Sequence, residues 1–152
     1  MYKVGIIGAT GYAGAEIVRI LLNHPYVELA AVGSRSYKGK KLSEVYPNFK
    51  NICDMILLDN EDVIEKSDVV FAALPHGLSQ DIAKKCYDSN VFFIDIGADF
   101  RLHDEQDYKE WYGLEFDHRQ LHNEAVYGLP ELFGEQIKGK RIIANPGCYP
   151  TS

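Results

Sequence analysis

A short apolar run at residues 3–7 ends on Gly8, and a loop with glycine at every third position then leads into a helix-patterned stretch. Few arrangements constrain a fold so tightly. The run Lys3-Val4-Gly5-Ile6-Ile7 is apolar and β-branched, as a strand buried on both faces must be. Residues 13–23 carry Ile17, Val18, Leu21 and Leu22 on one helical face, and His24-Pro25 stops them. The alternation then repeats. Strands are predicted over 27–32, 55–58, 69–74, 91–96 and 141–144, each closed by glycine, proline or a polar turn. Helices are predicted from Asn60 or Glu61 and over 78–88 and 104–111. Nearly all-apolar strands separated by helices imply a parallel sheet with helices on both faces. The expected class is α/β: a doubly wound, mostly parallel, Rossmann-like sheet.

Composition removes several alternatives. With 152 residues the chain is long enough for one domain with a real core, without room for two of usual size. A hydrophobic fraction of 46% against 25% charged is that of a globular chain, not a disordered one. No stretch approaches the roughly 18 apolar residues of a membrane span, and there is no internal repeat. The net charge of −6 argues against nucleic acid as partner. Lys3 stands directly before folded-looking pattern, so no secretory signal is expected. Three widely spaced cysteines (Cys53, Cys86 and Cys148) make no disulfide framework. The expected location is the cytoplasm.

Between the first strand and the first helix lies Gly8-Ala9-Thr10-Gly11-Tyr12-Ala13-Gly14. Its G-x-x-G-x-x-G spacing departs from the usual dinucleotide fingerprint, but the same physical logic applies. Gly8 permits the turn off the strand, Gly11 lets backbone approach a pyrophosphate, and Gly14 allows close helix–strand packing. Thr10, Tyr12 and Ala13 complete the loop, where a helix start offers free N–H groups to an anion. The bland alternative is a plain tight turn. The second strand bears on the choice of cofactor. It ends in Gly33-Ser34-Arg35-Ser36, where an NAD site would carry an acidic residue. A hydroxyl followed by a guanidinium suits a 2′-phosphate, and Lys38, Lys40 and Lys41 add positive charge. NADP(H) is therefore expected over NAD, the alternative being an ordinary polar turn.

The chain closes with Asn145-Pro146-Gly147-Cys148-Tyr149-Pro150-Thr151-Ser152. Cys86 shares a helical pattern with Ile82 and Ala83 and reads, like Cys53, as a small buried hydrophobe. Cys148 stands in a turn after a strand, where a helix start would favour a thiolate and stabilise an oxyanion. It is the candidate nucleophile.

Taken with Ala73-Leu74-Pro75-His76-Gly77, Gly97-Ala98-Asp99-Phe100-Arg101 and Tyr127-Gly128-Leu129-Pro130-Glu131, the glycine loop and cysteine motif fall in a definite order. In that order the chain resembles the N-terminal part of the N-acetyl-gamma-glutamyl-phosphate reductases. The resemblance implies NADPH-dependent reduction of a small-molecule acyl phosphate, N-acetyl-glutamyl 5-phosphate, in arginine biosynthesis. It implies Cys148 as the thioester-forming nucleophile and a homo-oligomeric complete enzyme. Residues 1–152 would be the dinucleotide-binding domain, ending just after Cys148, with a catalytic and dimerisation domain beyond. The general acid/base histidine is expected there, because none of His24, His76, His103, His118 or His122 matches it. Alone, residues 1–152 are expected to bind NADP(H) weakly and to turn over negligibly.

Other residues keep two readings. Leu74, Pro75 and His76 either line the cofactor or merely pack as a loop. Arg101, with Asn145, is a candidate substrate anchor, or Arg101 forms a structural salt bridge with Asp95 or Asp99. His118 and His122, four apart, would share a face if helical, but no third ligand accompanies them and no metal is expected. Tyr108, Trp111 and Tyr112 read as core or interface aromatics. Two wider alternatives stand: a related acyl-phosphate reductase, of the aspartate-semialdehyde dehydrogenase or aminoadipyl-phosphate type, and a non-catalytic NADP-binding regulator.

Overall fold

The apolar runs become strands because their β-branched side chains pack on both faces of a sheet, and glycine or proline then breaks each run. A computed structural model describes all residues 1–152, which form two compact units, Met1–Ala73 and Leu74–Ser152.

In the first unit, β1 (Tyr2–Ile7) leads to α1 (Tyr12–Leu21), then β2 (Val27–Gly33) and the short α2 (Leu42–Val45). A single 3-10 turn (Pro47–Phe49) follows, then β3 (Leu57–Leu58), α3 (Asn60–Glu65) and β4 (Val69–Ala72). The strands lie in the order β3-β2-β1-β4, all parallel. Ile7 pairs with Gly33 on one side and with Ala72 on the other, so the carboxyl ends of three strands come level. Val4, Ile6, Val18, Val32, Leu42 and Leu57 are the centre of its core. Burying each such side chain stabilises the fold by about 1.5–3 kcal/mol.

The second unit contains α4 (Gln80–Asp88), β5 (Phe92–Asp95), α5 (Glu105–Tyr112) and α6 (Arg119–Glu124). These are followed by β6 (Val126–Tyr127), α7 (Pro130–Ile137), β7 (Ile142–Ala144) and α8 (Cys148–Thr151). Its strands run parallel in the order β5-β7-β6, and Asp95 and Tyr127 both pair with Ala144. Asp104 caps α5, its carboxylate accepting from the Gln106 and Asp107 N–H groups at 2.7 and 3.1 Å. Tyr108 is fully buried at the centre of a ring cluster that includes Tyr112, Phe116 and His122, whereas Trp111 is exposed.

The parallel α/β reading of the sequence holds. No helix is long and apolar enough to cross a membrane. Residues 126–127 pair as a strand that the sequence reading does not contain, and α2, α6 and α7 are likewise additional, while α8 begins at Cys148, where the sequence reading allows a helix start.

Candidate functional site

In the first unit the glycine loop leaves β1 through Gly8, whose φ of +82° is the left-handed region open to glycine. The Gly8 and Ala9 N–H groups both donate to the Gly33 carbonyl, at 3.1 and 2.9 Å, tying the loop to the end of β2. Gly14 sits so close to the turn that a Cβ there would lie 2.1 Å from the Gly8 carbonyl oxygen. Gly11 is different. It caps α1 without any side-chain acceptor, and a Cβ on it would meet only that same oxygen, at 3.5 Å. An uncapped ten-residue helix beneath open backbone has the donors and the room that a pyrophosphate requires. Tyr12 and Ala13 are exposed on its first turn.

Thr10 and Ser34 share a hydroxyl–hydroxyl hydrogen bond of 2.7 Å, and the Tyr46 hydroxyl donates to the Thr10 carbonyl at 2.9 Å. Ser34 is therefore buried, its hydroxyl already engaged, while Arg35 beside it is exposed and forms no ion pair. The neighbouring lysines are partly committed. Lys38 pairs with Asp59, and Lys40 lies over the Tyr37 ring at 5.7 Å. Arg35 and Lys41, both exposed and outside the ion pairs, remain available to an anionic ligand near this strand end.

In the second unit Cys148 is exposed and is the first residue of α8, with Gly147 as its cap. Cys53 and Cys86 are buried, and burial pushes the Cys86 thiol up to about 12. An open cavity of about 480 Å³ is lined by Ile96, Arg101, Asn145, Pro146, Cys148 and Thr151. The structure thus brings together three of the residues singled out in the sequence. The salt-bridge alternative for Arg101 does not hold. Its Nε donates to the Asn145 carbonyl at 2.8 Å and its Nη2 to the Ile96 carbonyl at 3.0 Å. Asp95 and Asp99 are instead filled by other donors, and two carbonyls hold the Arg101 side chain, which lines the same cavity as Cys148.

Those donors disclose residues that sequence reasoning missed. Asp99 is fully buried and accepts from the N–H groups of Gly77 (2.6 Å) and Ser79 (2.9 Å) and from the Tyr108 hydroxyl (3.0 Å). Asp95 accepts from the Ser79 hydroxyl at 2.7 Å and from the N–H groups of Gly97 and Asp99 at 3.0 and 3.2 Å. Burial first, and then the Asp99 charge, lift the Asp95 carboxyl to about 6 against the pull of its hydrogen bonds. Pro75 and His76 are exposed, with His76 5.7 Å from the Tyr112 ring.

His118 and His122 do not share a helix face. His118 precedes α6 and pairs with Asp81 at 3.0 Å, whereas His122 is buried and hydrogen-bonds Gln80 at 2.8 Å.

A family model described as semialdehyde dehydrogenase, NAD binding domain, matches residues 3–140. The chain belongs to that family. Among curated relatives of this NAD-binding domain, the N-acetyl-gamma-glutamyl-phosphate reductase of Clostridium botulinum (strain Eklund 17B / Type B) is 56% identical over 152 residues. That alignment covers 100% of this chain and 44% of the relative. The protein of the same name from Brachyspira hyodysenteriae is 53% identical, covering 100% and 45%. The chain spans less than half the length of these relatives. Among solved structures, aspartate semialdehyde dehydrogenase with NADP from Candida albicans superposes with a TM-score of 0.67 at 20% identity, over 99% of this chain and 44% of that one. Aspartate semialdehyde dehydrogenase II from Vibrio cholerae gives 0.71 at 20% identity, over 99% and 39%. These likenesses show the Rossmann-like fold of the semialdehyde dehydrogenase NAD-binding domain.

Proposed function

We propose that residues 1–152 are the dinucleotide-binding domain of an NADPH-dependent acyl-phosphate reductase, with N-acetyl-glutamyl 5-phosphate as substrate and N-acetyl-glutamate 5-semialdehyde and phosphate as products. The observation that carries this reading is the exposed Cys148 thiol in one cavity with Arg101 and Asn145. The substrate class follows the name shared by relatives more than half identical over the whole chain.

The glycine loop fits a dinucleotide, since Gly11 is open and α1 begins uncapped. In this reading Gly8, Thr10, Gly11, Tyr12 and Ala13 hold the pyrophosphate while Gly14 lets α1 pack close beneath it. Arg35 meets the 2′-phosphate with the Ser34 hydroxyl turning from Thr10 towards it, and Leu74, Pro75 and His76 line the cofactor. NADP(H), when bound, supplies hydride chemistry. Cys148 as thiolate attacks the acyl carbonyl, forming a C–S bond while the C–O bond to phosphate breaks and phosphate departs. Arg101 is held by two carbonyls and offers its remaining N–H donors to the phosphate oxygens. Asn145 is a second polar group at the cavity. The N–H groups of Cys148 and Tyr149, at the start of α8, have no intrahelical acceptor and are suited to an oxyanion. The reading carries with it a small-molecule substrate, a cytoplasmic setting in keeping with three unpaired thiols, and a homo-oligomeric enzyme.

The test is the reductase assay on the complete enzyme that carries this chain. Cofactor oxidation should require N-acetyl-glutamyl 5-phosphate, run faster with NADPH than with NADH, and vanish in Cys148→Ser. Equal rates with both cofactors would refute the roles given to Ser34 and Arg35. Activity retained in Cys148→Ser would refute the thioester route.

A further inference from the structure

Residues 74–79 combine an exposed front with a costly anchor. Pro75 and His76 are exposed, yet the backbone just behind them is held by a carboxylate with no exposure at all. Burying a carboxylate is unfavourable unless donors surround it, and Asp99 has three. Two of them, the Gly77 and Ser79 N–H groups, belong to this loop. Gly77 stands at φ +85°, the left-handed region open to glycine, and a Cβ there would come 3.0 Å from Leu114. A side chain at this position would therefore strain the turn that brings both N–H groups to one carboxylate. The Ser79 hydroxyl adds a third tie, to Asp95. Ser79 is itself fully buried and needs an acceptor. The half-buried Gly77 N–H, however, lies where water can serve it, and its capture by the same carboxylate ties the exposed front of the loop to the core. Two residues beyond Asp99, Arg101 holds the Asn145 carbonyl beside Cys148. One short turn thus fixes the loop with one side chain and the cysteine segment with another.

We propose that Asp99 is a positioning residue for cofactor binding, its carboxylate fixing the backbone at Gly77 and Ser79 and thereby placing Leu74, Pro75 and His76 against the cofactor. The proposal rests on the reading of residues 74–76 as cofactor-binding. The Tyr108 hydroxyl donates to the same carboxylate oxygen, Oδ1, as the Gly77 N–H and so helps to hold it in place.

The experiment is an NADPH titration of the complete enzyme that carries this chain, followed by cofactor fluorescence, with amide exchange at Gly77 and Ser79 read alongside. Asp99→Asn keeps the shape but cannot accept from both N–H groups and Tyr108. It is expected to raise the Kd for NADPH about tenfold and to speed exchange at Ser79. Tyr108→Phe should raise the Kd by about threefold. Gly77→Ala strains the same loop without touching the carboxylate and should reproduce the Asp99→Asn loss. Cys86→Ala, which empties a core position on α4 and lowers general stability, should leave the Kd unchanged. Asp99→Asn binding as tightly as wild type overturns the proposal, as does Cys86→Ala weakening NADPH to the same degree. If Asp99→Asn does not fold, Gly77→Ala and Tyr108→Phe decide, and wild-type affinity in both overturns it. Wild type failing to bind NADPH at all overturns the cofactor reading itself, whereas tight wild-type binding with no response to Asp99→Asn removes this proposal alone.

Discussion

His122 stacks on Phe116 with ring centroids 3.5 Å apart and lies 4.7 Å from Phe100, its Nε2 bonded to Gln80 and its Nδ1 unpartnered. Burial among these rings lowers its pKa to about 4. The folded chain binds this proton less readily than the unfolded chain. Its contribution to stability is therefore present above about pH 6.5 and is lost as pH falls towards about 4. Asp95 works in the opposite direction. Its carboxyl is raised to about 6, so its contribution is present below about pH 3.8 and is lost as pH rises through 6. Each effect is of the order of 3 kcal/mol, and across the shared window they offset one another. Asp95→Asn should therefore lose more stability than wild type between about pH 7 and about pH 4, and His122→Phe should lose less. Thermal unfolding at the two pH values checks both, and variants that track wild type would contradict the assignment.

At the scale of elements, the turn from β1 into α1 separates packing from binding. Gly14→Ala would press a methyl against the Gly8 carbonyl, which is backbone and cannot move aside, so the cost should be about 1–3 kcal/mol or more. Gly11→Ala should cost under about 1 kcal/mol as a weakened helix cap, yet should weaken NADPH binding by filling the open backbone. Denaturant unfolding and cofactor titration of the two variants separate these outcomes. An equally destabilised Gly11→Ala would place its role in packing. Much of this was legible in the sequence, because strand, glycine turn and helix are local patterns that a few residues determine. The close approach of Gly14 follows from such patterns, whereas the convergence of Arg101 with Asn145 and Cys148 joins residues more than 40 positions apart. The Asp99 clamp is likewise non-local. It joins residues 77, 79 and 108 across intervening elements, and nothing local marks a carboxylate as fully buried. Arg101 shows the same limit, since the nearby acids suggested a salt bridge while its actual acceptors are backbone carbonyls that sequence does not display. The pair Val126–Tyr127 was missed because two residues are too few to show alternation.

On the scale of the whole molecule, each unit presents its candidate residues where its own parallel strands end. In the first unit these are the glycine loop after Ile7 and Ser34 after Gly33. In the second they are the turn after Asp95 and the cysteine segment after Ala144. Parallel α/β sheets place ligands at carboxyl ends, where loops are free to carry chemistry while the core holds them. The family match over residues 3–140 accords with that arrangement. In the proposed reaction Cys148 takes up an acyl group. This step is tested by the intact mass of the complete enzyme that carries this chain after incubation with N-acetyl-glutamyl 5-phosphate in the absence of NADPH, with the labelled site located by peptide mapping. A single N-acetyl-glutamyl adduct is expected on Cys148, released by hydroxylamine and absent from Cys148→Ser, with the buried Cys53 and Cys86 unlabelled. No adduct on Cys148, or an adduct that persists in Cys148→Ser, would contradict it.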